Sequence, residues 1–324
     1  GGRCMFTSAS ANAGMNQTTG IYREPLEEAL IKNMVTLTLC VSIIYINGML
    51  VHIFTRHQIF YTNPRYILYI HLVINDIILL TLYILLQALT YNLSGINVSL
   101  CIILIVAAVL AKQNNPLTIA VMSVECYVAV CFPLHHSRIC SVRRTYVLIA
   151  LIWLVNSLSI LPDVFVTLGT ETADFFLSRT TCVRKLVLKN IYLIRKRSIS
   201  DIVFLVLVWL IVFFAYFKIL LAAKAATANA KKAQNTILLH GFQLLLCMLN
   251  FLFNLIVRGL VVVFPRRVLF IYFMAAVFIQ VLPRLINPII YGIRDKMFRK
   301  YLKRYLLFTD NANIHPLKTQ KRSL

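Results

Sequence analysis

The chain runs to 324 residues, of which 60% are hydrophobic and 14% charged, with a mean hydropathy of +0.78. A water-soluble domain of this length is never so apolar, so the composition describes an integral membrane protein. The formal charge of +22 sits between apolar runs, where it bears on orientation and not on a nucleic-acid partner.

Residues 1–29 contain no apolar core, so no cleavable signal peptide is expected, and the first span should direct insertion. Met5 and Met15 are both candidate starts, which makes Gly1 to Gly14 a candidate extension. Asn16-Gln17-Thr18 is a glycosylation acceptor; Asn92 and Asn97 fit the same pattern but lie in a loop too short to clear a membrane. Beyond this segment come seven apolar runs, each long enough to cross a bilayer as helix: Leu30–Phe54, Tyr66–Leu89, Leu100–Val130, Tyr146–Leu168, Ile199–Ala222, Thr236–Val263 and Val268–Gly292. None alternates in the manner of a barrel strand. The expected fold is therefore all-α, a bundle of seven transmembrane helices over 30–292, preceded by an N-terminal segment and followed by a cytoplasmic stretch over 293–324.

Charge orients the bundle. The segments 55–65, 131–145, 218–235 and 293–324 are basic, carrying among others Arg65, Arg138, Arg143, Arg144, Lys224, Lys231 and Lys232, and should face the cytoplasm. The loop 169–198 is also basic, with Arg195, Lys196 and Arg197 set against Glu171 and Asp174. Short loops and the first span dominate insertion, so the N-terminus is expected outside.

The first span carries Asn47 and the second Asp76. An ionisable group at membrane depth is a functional-site candidate whose partners must be named; here they are Asn47, Asn115 on the third span and Asn287 on the seventh. This polar core reads either as a site for water or a sodium ion, given its oxygen ligands, or as a hydrogen-bonded cluster closed on itself. No other cofactor is expected. Cys101 opens the third span and Cys182 lies in the following outer loop; two cysteines facing an oxidising compartment should pair. Cys40, Cys126, Cys131, Cys140 and Cys247 fall in spans or on the inner side and show no zinc spacing.

Lys112 projects inward on the third span and needs an anionic partner such as Asp201, a carbonyl cluster or a ligand. Pro265-Arg266-Arg267 forms a short turn between the last two spans. The seventh then carries Asn287, Pro288 and Tyr291, which implies a hinge facing the bundle interior. After it, Met297, Phe298, Tyr301, Leu302 and Tyr305 line one stripe of an amphipathic interfacial helix, with Lys296, Arg299, Lys300 and Lys303 on the other.

Four strings are specific: Asn63-Pro64-Arg65-Tyr66, Met122-Ser123-Val124-Glu125-Cys126-Tyr127-Val128-Ala129-Val130-Cys131-Phe132-Pro133-Leu134-His135-His136, Lys232-Ala233-Gln234-Asn235-Thr236, and Pro283-Arg284-Leu285-Ile286-Asn287-Pro288-Ile289-Ile290-Tyr291. With Asp76, Trp153 and the cysteine pair in order across seven spans, the chain resembles the odorant receptors of fish type within the rhodopsin-like (class A) G-protein-coupled receptors, over residues 30–308. The resemblance implies a small-molecule odorant bound in the outer half of the bundle. Its wall candidates are Ala108, Lys112, Tyr83, Gln87, Phe204, Phe251, Asn254, Arg258 and Gln280. Ala108 stands where amine receptors carry aspartate, and Lys112 with the basic loop suggests an acidic ligand. It further implies a heterotrimeric G protein of the stimulatory olfactory type, contact with membrane lipids, and residence in the plasma membrane of an olfactory sensory neuron. A receptor for an internal mediator is the alternative within the family; a transporter would show internal repeats, and none is seen. No nucleophile-base-acid set points to an enzyme. Glu125, Cys126, Tyr127, Asn287, Pro288 and Tyr291 occupy the switch positions. Cys126 replaces the arginine usual there, which removes the usual resting lock and leaves Glu125 to pair with Arg143 or Arg144, or to take up a proton.

Overall fold

The computed structural model describes residues 26–92, 96–180, 182, 191–224, 242, 252–253, 256–264, 267–286, 289 and 299–300. Helix α1 covers Leu26–Arg56, α2 Pro64–Asn92, α3 Val98–Cys131, α4 Pro133–Ile139, α5 Val142–Thr170, α6 Ala173–Leu177, α7 Ile191–Lys224 and α8 Val268–Ala275. Among the described residues, five helices are long and apolar enough to cross a membrane, within α1, α2, α3, α5 and α7, and a shorter apolar helix covers Phe270–Ile286. These are the first five and the last of the expected spans; most of the sixth lies outside the described residues, apart from pieces such as helical 256–263. The protein is an all-α, multi-pass membrane protein.

Local sequence sets the helix ends. Asn63 caps α2, its Oδ1 accepting from the Arg65 backbone N–H at 3.0 Å, while Pro64 follows at the first helical position, where no N–H is needed. Pro133 starts α4 in the same way. Ser141 caps α5 by accepting from the Arg144 N–H at 3.4 Å. Glu27 and Glu28 in the first turn of α1 and Arg56 in its last complement the helix dipole.

Helix α3 is the hub, packed against α2, α5 and α7 and against the short α4 and α6. The large side chains that point away from it, such as Tyr45, Leu154, Leu158 and Leu210, are exposed and form the face that hydrocarbon covers. At one end, β1 (Ile96–Asn97) pairs antiparallel with β2 (Arg179–Thr180). Ser99 Oγ donates to the Phe176 carbonyl at 3.0 Å, and Cys101 and Cys182 form the expected disulfide. The loop after the fourth span is thus stitched over the start of α3. Part of this loop is helical: Arg195, Lys196 and Arg197, read from the sequence as loop, ride on the first turns of α7. The last span holds a π-helical turn, Ala276–Val281, between two α-helical stretches.

Candidate functional site

At the end opposite the disulfide, Glu125 is buried, 5% exposed, and held from two sides. Arg65, set by the Asn63 cap, donates from Nε to Oε2 at 3.0 Å and from Nη2 to Oε1 at 3.3 Å. His136 on α4 lies 3.0 Å from Oε1 through Nε2, and since an ionised carboxylate only accepts, Nε2 is the donor. This corrects the expectation of Arg143 or Arg144. Arg143 is exposed, and Arg144 donates from Nη1 to the carbonyls of Arg138 and Ile139 at 2.6 and 3.4 Å. Cys126 behaves as a small hydrophobe, buried against Ile219 of α7 with Tyr127, Val130 and Tyr216 around it. Tyr127 meets Phe132 and Phe214 edge-on, each at 5.8 Å. Cys140, between α4 and α5, is partly buried; that burial, and then the Glu125 carboxylate, push its thiol up from its ordinary range, against the pull of Arg144 and Arg65.

Midway along the bundle, Asp76 is 1% exposed. Asn115 Nδ2 donates to its Oδ1 at 2.8 Å, as the sequence suggested. The Arg284 guanidinium stands 3.9 Å from the same oxygen through Nη1, while its Nε donates to the Gln280 carbonyl at 2.7 Å. Asn47 is fully buried, but neither of its side-chain polar atoms has a hydrogen-bond partner among the described residues. A second polar cluster ties α2, α3 and α5. Trp153 Nε1 can only donate, and it reaches His71 Nε2 at 3.0 Å, with Asn75 Nδ2 at 3.3 Å from the same atom. Two donors on Nε2 put the imidazole proton on Nδ1, 3.0 Å from Thr118 Oγ1; that hydroxyl donates onward to the Asn114 carbonyl at 2.7 Å. Asn114 in turn donates to Asn75 at 3.4 Å and accepts from Asn156 at 2.6 Å.

Toward the disulfide end, a cavity of about 730 Å³ opens between α3, α5 and α7, within the usual range for a small-molecule site. Gln113, Asn156, Ser159, Lys196 and Ser200 supply its polar groups, and Val155, Ile199, Val203, Phe204 and Leu207 its apolar wall. Lys196 Nζ lies 2.8 Å from Oδ1 of Asp163, which is 1% exposed. Gln113 donates to Asp201 at 3.4 Å.

Of the wall candidates, Phe204 lines this cavity. Ala108 and Lys112 are half-buried along α3, Gln280 is half-buried in the π turn and Arg258 is exposed. Tyr83 packs beside Cys40, Ile43 and Val281, and Gln87 donates to Asn33 of α1 at 2.8 Å. Asn16, Phe251, Asn254, Asn287, Pro288 and Tyr291 lie outside the described residues, as does the tail helix apart from helical 299–300. The sequence reading missed Arg65, His136, Lys196, Asp163 and the contact of Arg284. Arg65, His136 and Lys196 lie near a helix end, where a positional reading assigns topology or solvent contact.

The family model described as 7 transmembrane receptor (rhodopsin family) matches residues 46–291. Odorant receptor 131-2 of Danio rerio is 29% identical over 281 residues, 85% of each chain. Olfactory receptor 4K15 of Homo sapiens is 26% identical over 196 residues, 57% of this chain and 58% of the relative.

Proposed function

The chain belongs to the rhodopsin family of seven-transmembrane receptors, and from that premise we propose that it is an odorant receptor that binds a small water-soluble molecule and activates a heterotrimeric G protein. The observation that carries this reading is its similarity to a zebrafish odorant receptor over 85% of both chains. The family is one of receptors and not of enzymes, so the chemistry to account for is binding and a change of state.

The disulfide end faces outward and admits the odorant. The cavity between α3, α5 and α7 offers an apolar wall for its body and Gln113, Asn156 and Ser159 for a polar group. Lys112 on α3 and Lys196 at the cavity favour acidic odorants, by raising the local concentration of anions and by pairing with a carboxylate. Lys196 also neutralises the buried Asp163, and Lys112 is half-buried on α3. Binding favours one arrangement of the bundle, in which the inner ends of the fifth and sixth spans leave the third and expose the site for the G protein, of the stimulatory olfactory type. Glu125, held by Arg65 and His136, marks the resting arrangement, with Cys126 packed on Ile219 closing the seam between α3 and α7.

The test is a cyclic-AMP assay in cells that carry the olfactory stimulatory G protein and show the receptor at their surface, challenged with acidic, neutral and amine odorants. A response confined to acids, lost in Lys112→Met at unchanged surface level, supports the reading. A response to neutral or amine odorants that survives Lys112→Met removes the acidic class. Silence toward every class at normal surface density counts against coupling.

A further inference from the structure

A carboxyl buried inside a membrane bundle either takes up a proton or is ionised beside a positive partner. That partner is either an ion exchanged with the surroundings or a group built into the chain. Asp76 meets the second kind. Its Oδ1 takes a hydrogen bond from Asn115 at 2.8 Å and lies 3.9 Å from the Arg284 guanidinium. That guanidinium is no surface group swung inward: the side chain is 11% exposed, and its Nε is fastened to the Gln280 carbonyl at 2.7 Å.

We propose that Arg284 is the resident counter-cation of Asp76, so that the polar core of this receptor works without a sodium ion. Within this pair, one guanidinium balances one carboxylate. A sodium ion at Oδ1 would add a positive charge to a buried site and stand against the guanidinium that faces the same oxygen. The oxygen ligands alone suit a monovalent cation; the arginine beside them does not. The pair also links α2 to the last span by an ionic contact without a hydrogen bond at Nη1 among the described residues, so a rearrangement of that span works against this attraction, and the resting balance is independent of the sodium concentration outside.

The test needs no odorant. The full chain is purified into lipid nanodiscs, and its Tm is measured in sodium chloride and in choline chloride at equal ionic strength, for the native protein, Arg284→Met, Asp76→Asn and the double variant. The native protein shows no sodium-specific change in Tm. Each single variant strands a buried charge and loses on the order of 10 °C, and the double variant regains most of that loss. A sodium-specific rise in the native protein overturns the proposal, as does a double variant whose loss is the sum of the two singles. Should either single variant yield no folded protein, recovery of surface level in the double variant supports the pair, and continued absence refutes it.

Discussion

Replacing Arg65 with Met removes two charge-assisted hydrogen bonds from a carboxylate that is 5% exposed and leaves it with His136 as its partner among the described residues. Such bonds contribute about 1.5–3 kcal/mol each, but the Arg65 side chain is 30% exposed and water screens part of the interaction. A coupling of about 2 kcal/mol between Arg65 and Glu125 is the expected net, well short of the ~3–5 kcal/mol for breaking a fully buried pair. In Tm that is about 3 °C for a chain of 324 residues. The assay is a double-mutant cycle of Arg65→Met and Glu125→Gln, read by thermal denaturation in nanodiscs, in which the double variant should be no less stable than Arg65→Met alone. If the pair belongs to the resting arrangement, Arg65→Met also raises basal cyclic AMP, by up to about 30-fold for 2 kcal/mol. Single losses that simply add in the double variant, within about 0.5 kcal/mol, would refute the argument.

Cys126→Arg would place a guanidinium among Ile219, Tyr216 and Val130 while Glu125 is already engaged, so surface level should fall, whereas Cys126→Ala should keep it; flow cytometry on tagged cells reads both. His71→Leu leaves the Trp153 indole, Thr118 and Asn75 each short of a partner in the bundle interior, at a cost of about 2–4 kcal/mol, visible as a drop in Tm. The Cys140 thiol is held above its ordinary range, so its alkylation in the folded protein should be slow near neutrality and rise only at higher pH than for a free thiol. Glu125→Gln removes one of the two influences that raise it, so labelling at a fixed mildly alkaline pH should speed up; mass spectrometry of the modified peptide gives the rate.

The spans were legible because hydrocarbon imposes one length and one chemistry on every crossing, and α1, α2, α3 and α5 begin and end near the limits that the apolar runs set. Asp76 with Asn115 was legible for a related reason: a carboxylate at membrane depth has few amides within reach. The Arg65 contact was not, because it depends on where the Asn63 cap starts α2, and one residue of register turns the side chain by about 100°. Arg284 was hidden by the π turn at Ala276–Val281, which shifts the helical phase of every residue after it without a mark in the apolar pattern. Lys196 was read as loop charge because the apolar run begins only at Ile199, whereas the helix extends back past it and delivers the amine to Asp163.

The amide relay through Asn75, Asn114 and Asn156, with His71 and Trp153 beside it, has a bearing on how the protein is made. Helices enter the membrane in order of synthesis, so for a time α2 and α3 stand in lipid with the acceptor oxygen of Asn114 awaiting Asn156 and the ring nitrogen of His71, met so far by Asn75, awaiting Trp153, both of which α5 brings. A chain halted after three spans therefore presents polar side chains to hydrocarbon, a mark by which quality control can hold it back. Arrival of the fourth span closes the relay and with it the release from that hold. Changes at Asn156 or Trp153 should then appear first as retention during biogenesis, before any receptor reaches the surface to be assayed for signalling.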